Sequence, residues 1–203
     1  MTDFDARAAT WDDDPAKVSR AATVAAAIAA RVPDLARRQV LEYGCGTGLL
    51  GFAMRPRVAA VTLADSAPGM LEVLRRKIAT SGLDRMTPLR LDLAVDPPPA
   101  GRFDLICSLM ALHHVKDTAA LLAAFRDLLA PGGMIALADL DAEDGSYHGA
   151  AEQDVHHGFD RAALSRLLEV GGFTAIHFET AVEMERPGIP RKFSVFLVTA
   201  RLR

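Results

Sequence analysis

Val40-Leu41-Glu42-Tyr43-Gly44-Cys45-Gly46-Thr47-Gly48 decides how this chain is read: a short apolar run ends in an acid and then breaks into three alternating glycines. Residues 39–43 predict a buried strand, and the Leu/Phe/Met-rich residues 49–54 predict the helix that follows it. The turn between them needs backbone without Cβ, both to adopt unusual dihedrals and to let a ligand approach the main chain. Free N–H groups at the helix start then face whatever carries negative charge. The pattern is that of a nucleotide-type cofactor site.

Two frames compete over the glycines. Gly46-Thr47-Gly48-Leu49-Leu50-Gly51 matches G-x-G-x-x-G, with Asp65 nineteen residues after its first glycine, which is the dinucleotide pattern. That frame begins two residues late relative to the strand. The earlier frame, Glu42-x-Gly44-x-Gly46-x-Gly48, starts at the strand end and includes an acid. It resembles the first motif of Rossmann-like S-adenosylmethionine methyltransferases, in which the glycine loop holds the methionine part of the cofactor. A nicotinamide-dependent oxidoreductase is the alternative, although Tyr147 is followed four residues later by Ala151 rather than by the lysine of short-chain reductases.

Composition sets outer bounds. The 203 residues are 50% hydrophobic and 24% charged, enough chain for one globular domain with a sizeable core. The net charge is −3 and the basic residues are scattered, so neither nucleic acid nor an anionic membrane is an expected partner. Cys45 and Cys107 fall at predicted interior positions and read as reduced, small hydrophobes of a cytoplasmic protein, with a disulfide left open. Met1-Thr2-Asp3-Phe4-Asp5 lacks the basic and apolar regions of a signal peptide. The longest apolar stretch, Ala21 to Ala30, is too short to span a bilayer.

Strand-like runs near 39–43, 58–64, 86–91, 103–109, 134–140, 173–180 and 193–200 alternate with helical patterns near 15–31, 49–54, 67–81, 118–129 and 161–170. This order predicts an α/β fold, a doubly wound and mostly parallel seven-stranded sheet with helices on both faces. Pro68 after Ser66, Asp117 before an apolar helix, Asp160 before Ala162, and Gly171-Gly172 as a stop mark the helix ends. The last two strands are joined by a segment with Pro187, Gly188 and Pro190 and no helical periodicity. A connection without a crossover helix implies an antiparallel last strand, which matches the methyltransferase sheet.

The resemblance extends over about residues 39–200, with the closest flavour that of the quinone-biosynthesis methyltransferases. Leu63-Ala64-Asp65-Ser66-Ala67-Pro68-Gly69-Met70 is similar to the family's second-strand motif, whose acid binds both ribose hydroxyls. Leu91-Asp92-Leu93 resembles the third-strand motif, whose acid contacts the adenine amino group, and Phe103 to Val115 resembles the fourth strand and its turn, with Leu129-Ala130-Pro131-Gly132-Gly133 leading into the fifth. The resemblance implies S-adenosylmethionine as cofactor, held by Glu42, Gly44, Cys45, Gly46, Gly48, Asp65, Ser66, Met70, Asp92, Leu93 and Ser108. It also implies a small-molecule methyl acceptor. A binding module without catalysis is the third reading.

Candidate catalytic residues are His113 and His114 after the fourth strand, and Asp139, His156 and His157 at and after the fifth. These positions fall at the carboxyl ends of strands, where open α/β sheets bind ligands, and a neutral histidine can deprotonate an acceptor. A metal held by Asp139, Asp141 and His148 is a sharper alternative, but no H-x-x-x-H or C-x-x-C spacing supports it; no metal is expected. Phe4 and Trp11 precede an amphipathic, alanine-rich helix. In similar enzymes that segment folds over the cofactor as a lid, so Trp11 is either a lid aromatic or a core anchor.

Overall fold

A computed structural model describes residues 4–149, 155–186 and 188–203. Met1 to Asp3, Ala151 and Pro187, named above, lie outside them. The elements are α1 (Phe4–Arg7), α2 (Pro15–Arg31), β1 (Gln39–Tyr43), α3 (Leu49–Met54), β2 (Ala60–Asp65), α4 (Pro68–Ser81), β3 (Met86–Arg90), β4 (Phe103–Leu109), α5 (Thr118–Leu128), β5 (Leu129–Leu140), α6 (Arg161–Val170), β6 (Phe173–Arg186) and β7 (Ile189–Leu202). The sheet order is β3-β2-β1-β4-β5-β7-β6. β1 to β5 pair in parallel, and β7 runs antiparallel to both of its neighbours. The doubly wound sheet with a reversed last strand is therefore observed.

Alternation along the strands divides the core into two layers. Val40, Leu63, Leu105 and Ala136 pack with Ile28 of α2, Leu50 of α3 and Leu74 of α4. Leu41, Ile106 and Leu137 pack with Phe125 of α5 and Leu168 of α6. Asp14, Asp117 and Asp160 cap α2, α5 and α6 through their carboxylates, each satisfying a backbone donor that the helix leaves open.

Two expectations are corrected. β5 begins at Leu129, which pairs with Phe103, so the strand starts five residues before the expected Met134 and α5 stops at Leu128. Residues 181–186 and 189–192 are not a plain connection. They extend β6 and β7 into one long hairpin in which Val182 faces Val195, Met184 faces Phe193 and Glu185 faces Lys192. Pro190 is tolerated because it sits where the pairing shifts from Lys192 to Ile189, outside the span of β7 that bonds to β5.

The glycine loop is fixed by packing as much as by dihedrals. Gly44 has φ +69° and a Cβ there would meet Ala111 of the turn after β4. Gly51 in α3 lies against the sheet, where a Cβ would strike Leu63 Cδ2 and approach Glu42 Oε2 to 2.6 Å. This is the close helix–sheet contact expected of the third glycine of the motif. Because Leu63 is fully buried, Gly51→Ala is expected to destabilise the fold by about 1–3 kcal/mol through overpacking. Thermal unfolding should show a melting temperature lowered by several degrees.

Candidate functional site

The carboxyl ends of β1, β2 and β4, with the residues just after β3, open onto one cavity of ≈ 1390 Å³. A pocket for one drug-sized ligand measures about 300–1,000 Å³, and this space exceeds that range. Of the expected cofactor residues, Glu42, Gly44, Cys45, Gly46, Asp65, Ser66, Met70, Asp92 and Leu93 line it. Gly48 and Ser108 do not. Gly48 is the left-handed residue that starts α3, enclosed by Leu74 and Phe52. Ser108 is fully buried and donates its hydroxyl to the Tyr43 carbonyl at 2.8 Å, tying β4 to β1.

Asp65 at the end of β2 is held on both oxygens. Oδ2 accepts the Gly46 N–H at 2.6 Å and Oδ1 accepts the Ala67 N–H at 2.9 Å. Burial pushes its carboxyl above the usual range, and these amides pull it back. A rigid carboxylate with lone pairs remaining is suited to a pair of vicinal hydroxyls. Asp92 accepts the Ala94 N–H at 3.0 Å within its own turn, and the Leu93 N–H donates to the Tyr43 hydroxyl at 3.3 Å.

Glu42 is the costly member of the site. It is 2% exposed, Oε2 has no hydrogen-bond partner, and burial raises its pKa to about 8, with the Gly51 backbone amide partly offsetting the shift. A buried acid without a partner is stabilised by a cation brought by a ligand. A Cβ added at Gly46 would find Trp11 Nε1 at 3.8 Å and Met70 Sδ at 3.9 Å, ordinary contact distances, so the loop backbone is open to that ligand.

The segment before α2 closes this side. Asp5 Oδ1 accepts the Gly69 N–H at 2.6 Å, capping α4. Asp12 receives the Thr47 hydroxyl and the Lys77 ammonium, each at 2.5 Å. Trp11 is sandwiched by Arg7 and Lys17, with Lys17 Nζ 3.9 Å from the ring centroid. Phe4 meets Trp11 and the His114 ring edge-on. Trp11 thus stands on the glycine loop at the cavity wall rather than in the core.

The other half of the cavity is organised by Asp139, which is fully buried. Its Oδ2 accepts the Leu112 N–H at 2.8 Å and the His113 N–H at 3.3 Å, while Oδ1 lies 2.6 Å from His113 Nδ1. Met110, just before, is held at φ +56°, a strained value of the kind found where a turn must aim its side chains. A carboxylate at Nδ1 keeps the imidazole proton there and leaves Nε2 as the basic nitrogen. His113, His114 and His148 all line the cavity, with ring centroids 4.2 to 5.7 Å apart.

His156 and His157 do not join them. His156 is spent on the Val115 carbonyl at 2.9 Å and packs against Phe159. His157 is exposed against Gly145. The metal alternative also disperses, because β5 ends at Leu140 and Asp141 turns to a bidentate pair with Arg161 at 2.6 and 2.7 Å. Among the described residues no group of three or more His, Cys, Asp or Glu side chains is placed to hold a metal ion. Cys45 and Cys107 are free thiols whose pKa burial pushes well above the usual value. No helix among the described residues is long and apolar enough to cross a membrane. Sequence reasoning missed Tyr147, Arg20 and Arg186 in the cavity wall; the hairpin and α2 bring them together, and no local spacing signals it.

Comparison with known proteins agrees with this geometry. The chain belongs to the methyltransferase-domain family, whose model matches residues 15–178, and it has the Rossmann-like fold of the S-adenosylmethionine-dependent enzymes. A ubiquinone biosynthesis O-methyltransferase of Xanthomonas euvesicatoria pv. vesicatoria is 38% identical over 110 residues, 53% of this chain and 45% of that protein. The match spans about half the length of these curated relatives. Among solved structures, the YcgJ protein from Bacillus subtilis aligns with TM-score 0.74 at 15% identity over 89% of this chain and 98% of that one. An S-adenosylmethionine dependent methyltransferase from Mesorhizobium loti aligns with TM-score 0.65 at 25% identity, over 87% and 96%.

The buried Glu42 generates a pH prediction. Its folded pKa, about 8, lies above the ordinary 4.5, so folding favours the protonated acid. Its stabilising effect is complete below the unfolded pKa and is lost as pH rises toward the folded one. Glu42→Gln, neutral throughout, should melt near the parent temperature at the acid end of that window. Its advantage over the parent should grow steadily toward the alkaline end; a constant difference would mean that Glu42 is not held neutral.

Proposed function

We propose that this chain methylates a hydroxyl group of a small molecule, with S-adenosylmethionine as methyl donor and His113 as general base. The observation that carries the reading is His113, which lines the same cavity as Asp65, Glu42 and the glycine loop and is paired behind that wall with the buried Asp139. The relatives named for ubiquinone biosynthesis are O-methyltransferases, which supports oxygen as the acceptor atom. A recessed cavity in a chain of net charge −3 favours a small molecule over nucleic acid.

The residues divide the work. Asp65 takes the ribose hydroxyls, Asp92 and Leu93 the base, Glu42 and the loop the amino-acid end with its ammonium. When bound, S-adenosylmethionine supplies a methyl group on a sulfonium sulfur, open to in-line attack by the acceptor oxygen. His113 Nε2 takes the acceptor's hydroxyl proton, and Asp139 stabilises the imidazolium that forms. Phe4 and Trp11, latched by Asp5 and Asp12, keep water from the cofactor side as a lid.

The test uses two variants with separate readouts. Calorimetry should show binding of S-adenosylmethionine and S-adenosylhomocysteine by the parent, with none of NAD or NADP. Asp65→Ala should lose about 2–4 kcal/mol of that affinity, since hydrogen bonds to a charged group contribute about 1.5–3 kcal/mol each and do not add. His113→Ala should keep cofactor affinity and lower turnover by about 10²–10⁴-fold. Tighter binding of a nicotinamide cofactor, or a fully active His113→Ala, would contradict the reading.

A further inference from the structure

One part of the cavity wall has no role in holding the cofactor or in removing a proton. Arg20 of α2 is half-buried, its Nη1 rests on the Met184 thioether at 2.7 Å, and its Nε is buried with no hydrogen-bond partner. Arg186, at the end of β6, lies over the Tyr147 ring with Cζ 5.0 Å from the centroid. Both guanidinium groups stand near the Tyr147 hydroxyl, which burial pushes up and the two charges pull back down. Among the described residues neither arginine has a carboxylate within ion-pair distance. Of the acids in this region, Glu183 pairs with Lys192 at 3.2 Å, and Glu143 and Asp144 take Arg191.

The frame that holds these groups is stiff. Glu143 accepts the Tyr147 N–H at 3.0 Å while Arg191 ties the same loop to the hairpin. Tyr147 packs edge-on against Phe193 at 5.2 Å and against His148 at 4.9 Å. His148 in turn lies 4.9 Å from His113. Two ring-to-ring steps of 4.9 Å therefore separate the Tyr147 ring, over which Arg186 lies, from the His113 ring, a gap on the scale of a small aromatic molecule.

A guanidinium whose partners are a thioether and the Tyr147 hydroxyl, with Nε unsatisfied, costs the protein stability unless a ligand completes it. Its planar fork matches a carboxylate in a way a point charge does not. Resting on the hydroxyl-methylation reading above, we propose that the acceptor carries a carboxylate that docks between Arg20 and Arg186 at the Tyr147 hydroxyl, and that this subsite selects hydroxylated aromatic acids over neutral phenols. The hydroxyl to be methylated then points toward His113, across the ring from the carboxylate.

The probe is 3,4-dihydroxybenzoate, compared with its methyl ester, titrated by calorimetry into the protein saturated with S-adenosylhomocysteine. The acid should bind at least 10-fold more tightly than the ester. Arg186→Met, at the exposed end of the hairpin, should weaken the acid by about 10- to 100-fold, the loss of one charge-assisted partner, and leave the ester and S-adenosylhomocysteine affinities in place. Arg20→Met should do the same where it folds, and the Arg186 variant decides the matter where it does not. Equal binding of acid and ester, an acid that does not bind, or an Arg186→Met variant that binds the acid as the parent does would overturn the subsite. The methylation reading fails separately, through absence of S-adenosylhomocysteine binding or of methyl transfer to any acceptor; acid-selective binding that depends on Arg186 would then stand by itself as an anion site.

Discussion

A single buried carboxylate holds the reactive half of this site together. Asp139 sits one residue before the end of β5 inside the protein, where an isolated charge would be very costly, and the Leu112, His113 and Leu140 N–H groups and His113 Nδ1 satisfy it. The consequence runs in both directions. The turn can carry a strained Met110 because the carboxylate fixes its backbone, and the carboxylate can stay buried because the turn supplies donors. Removing either leaves the other short of partners, so this one interaction sets the position of His113 and the direction of its Nε2.

The opposite half is built on a close approach instead of a charge pair. Gly51 lets α3 sit against Leu63 and Glu42, and Gly44 lets the loop pass under Ala111. Glu42 is buried by that approach without a full set of partners, so the fold gives up stability at the point where a ligand ammonium can restore it. The N-terminal segment completes the enclosure through Asp5 and Asp12 rather than through apolar packing. Such polar, half-exposed contacts are weak individually.

Much of this was legible in the sequence because strand and helix periods differ and because glycine and aspartate mark turns. β1, β4, α2, α3 and α6 begin and end at the expected residues, and Asp65, Asp92 and the glycine loop lie where their order along the chain implied. Ser108 was misplaced for a physical reason: β4 is covered on both faces, so a polar residue there does not reveal which layer it serves. The extension of β6 and β7 was hidden by Pro190, which reads as a break and is instead absorbed by a pairing shift. His156 is turned to the Val115 carbonyl and His157 to the surface, while Tyr147 and His148 reach the cavity, through tertiary contacts with the β4 turn and the hairpin. Those contacts leave no periodic trace.

A crystal structure of the chain bound to S-adenosylhomocysteine tests the central claim most directly. The account predicts both ribose hydroxyls on Asp65, the ammonium group toward Glu42, and the sulfur facing the part of the cavity lined by His113. A ligand bound with its ribose away from Asp65, or with its sulfur turned from His113 toward solvent, would contradict it.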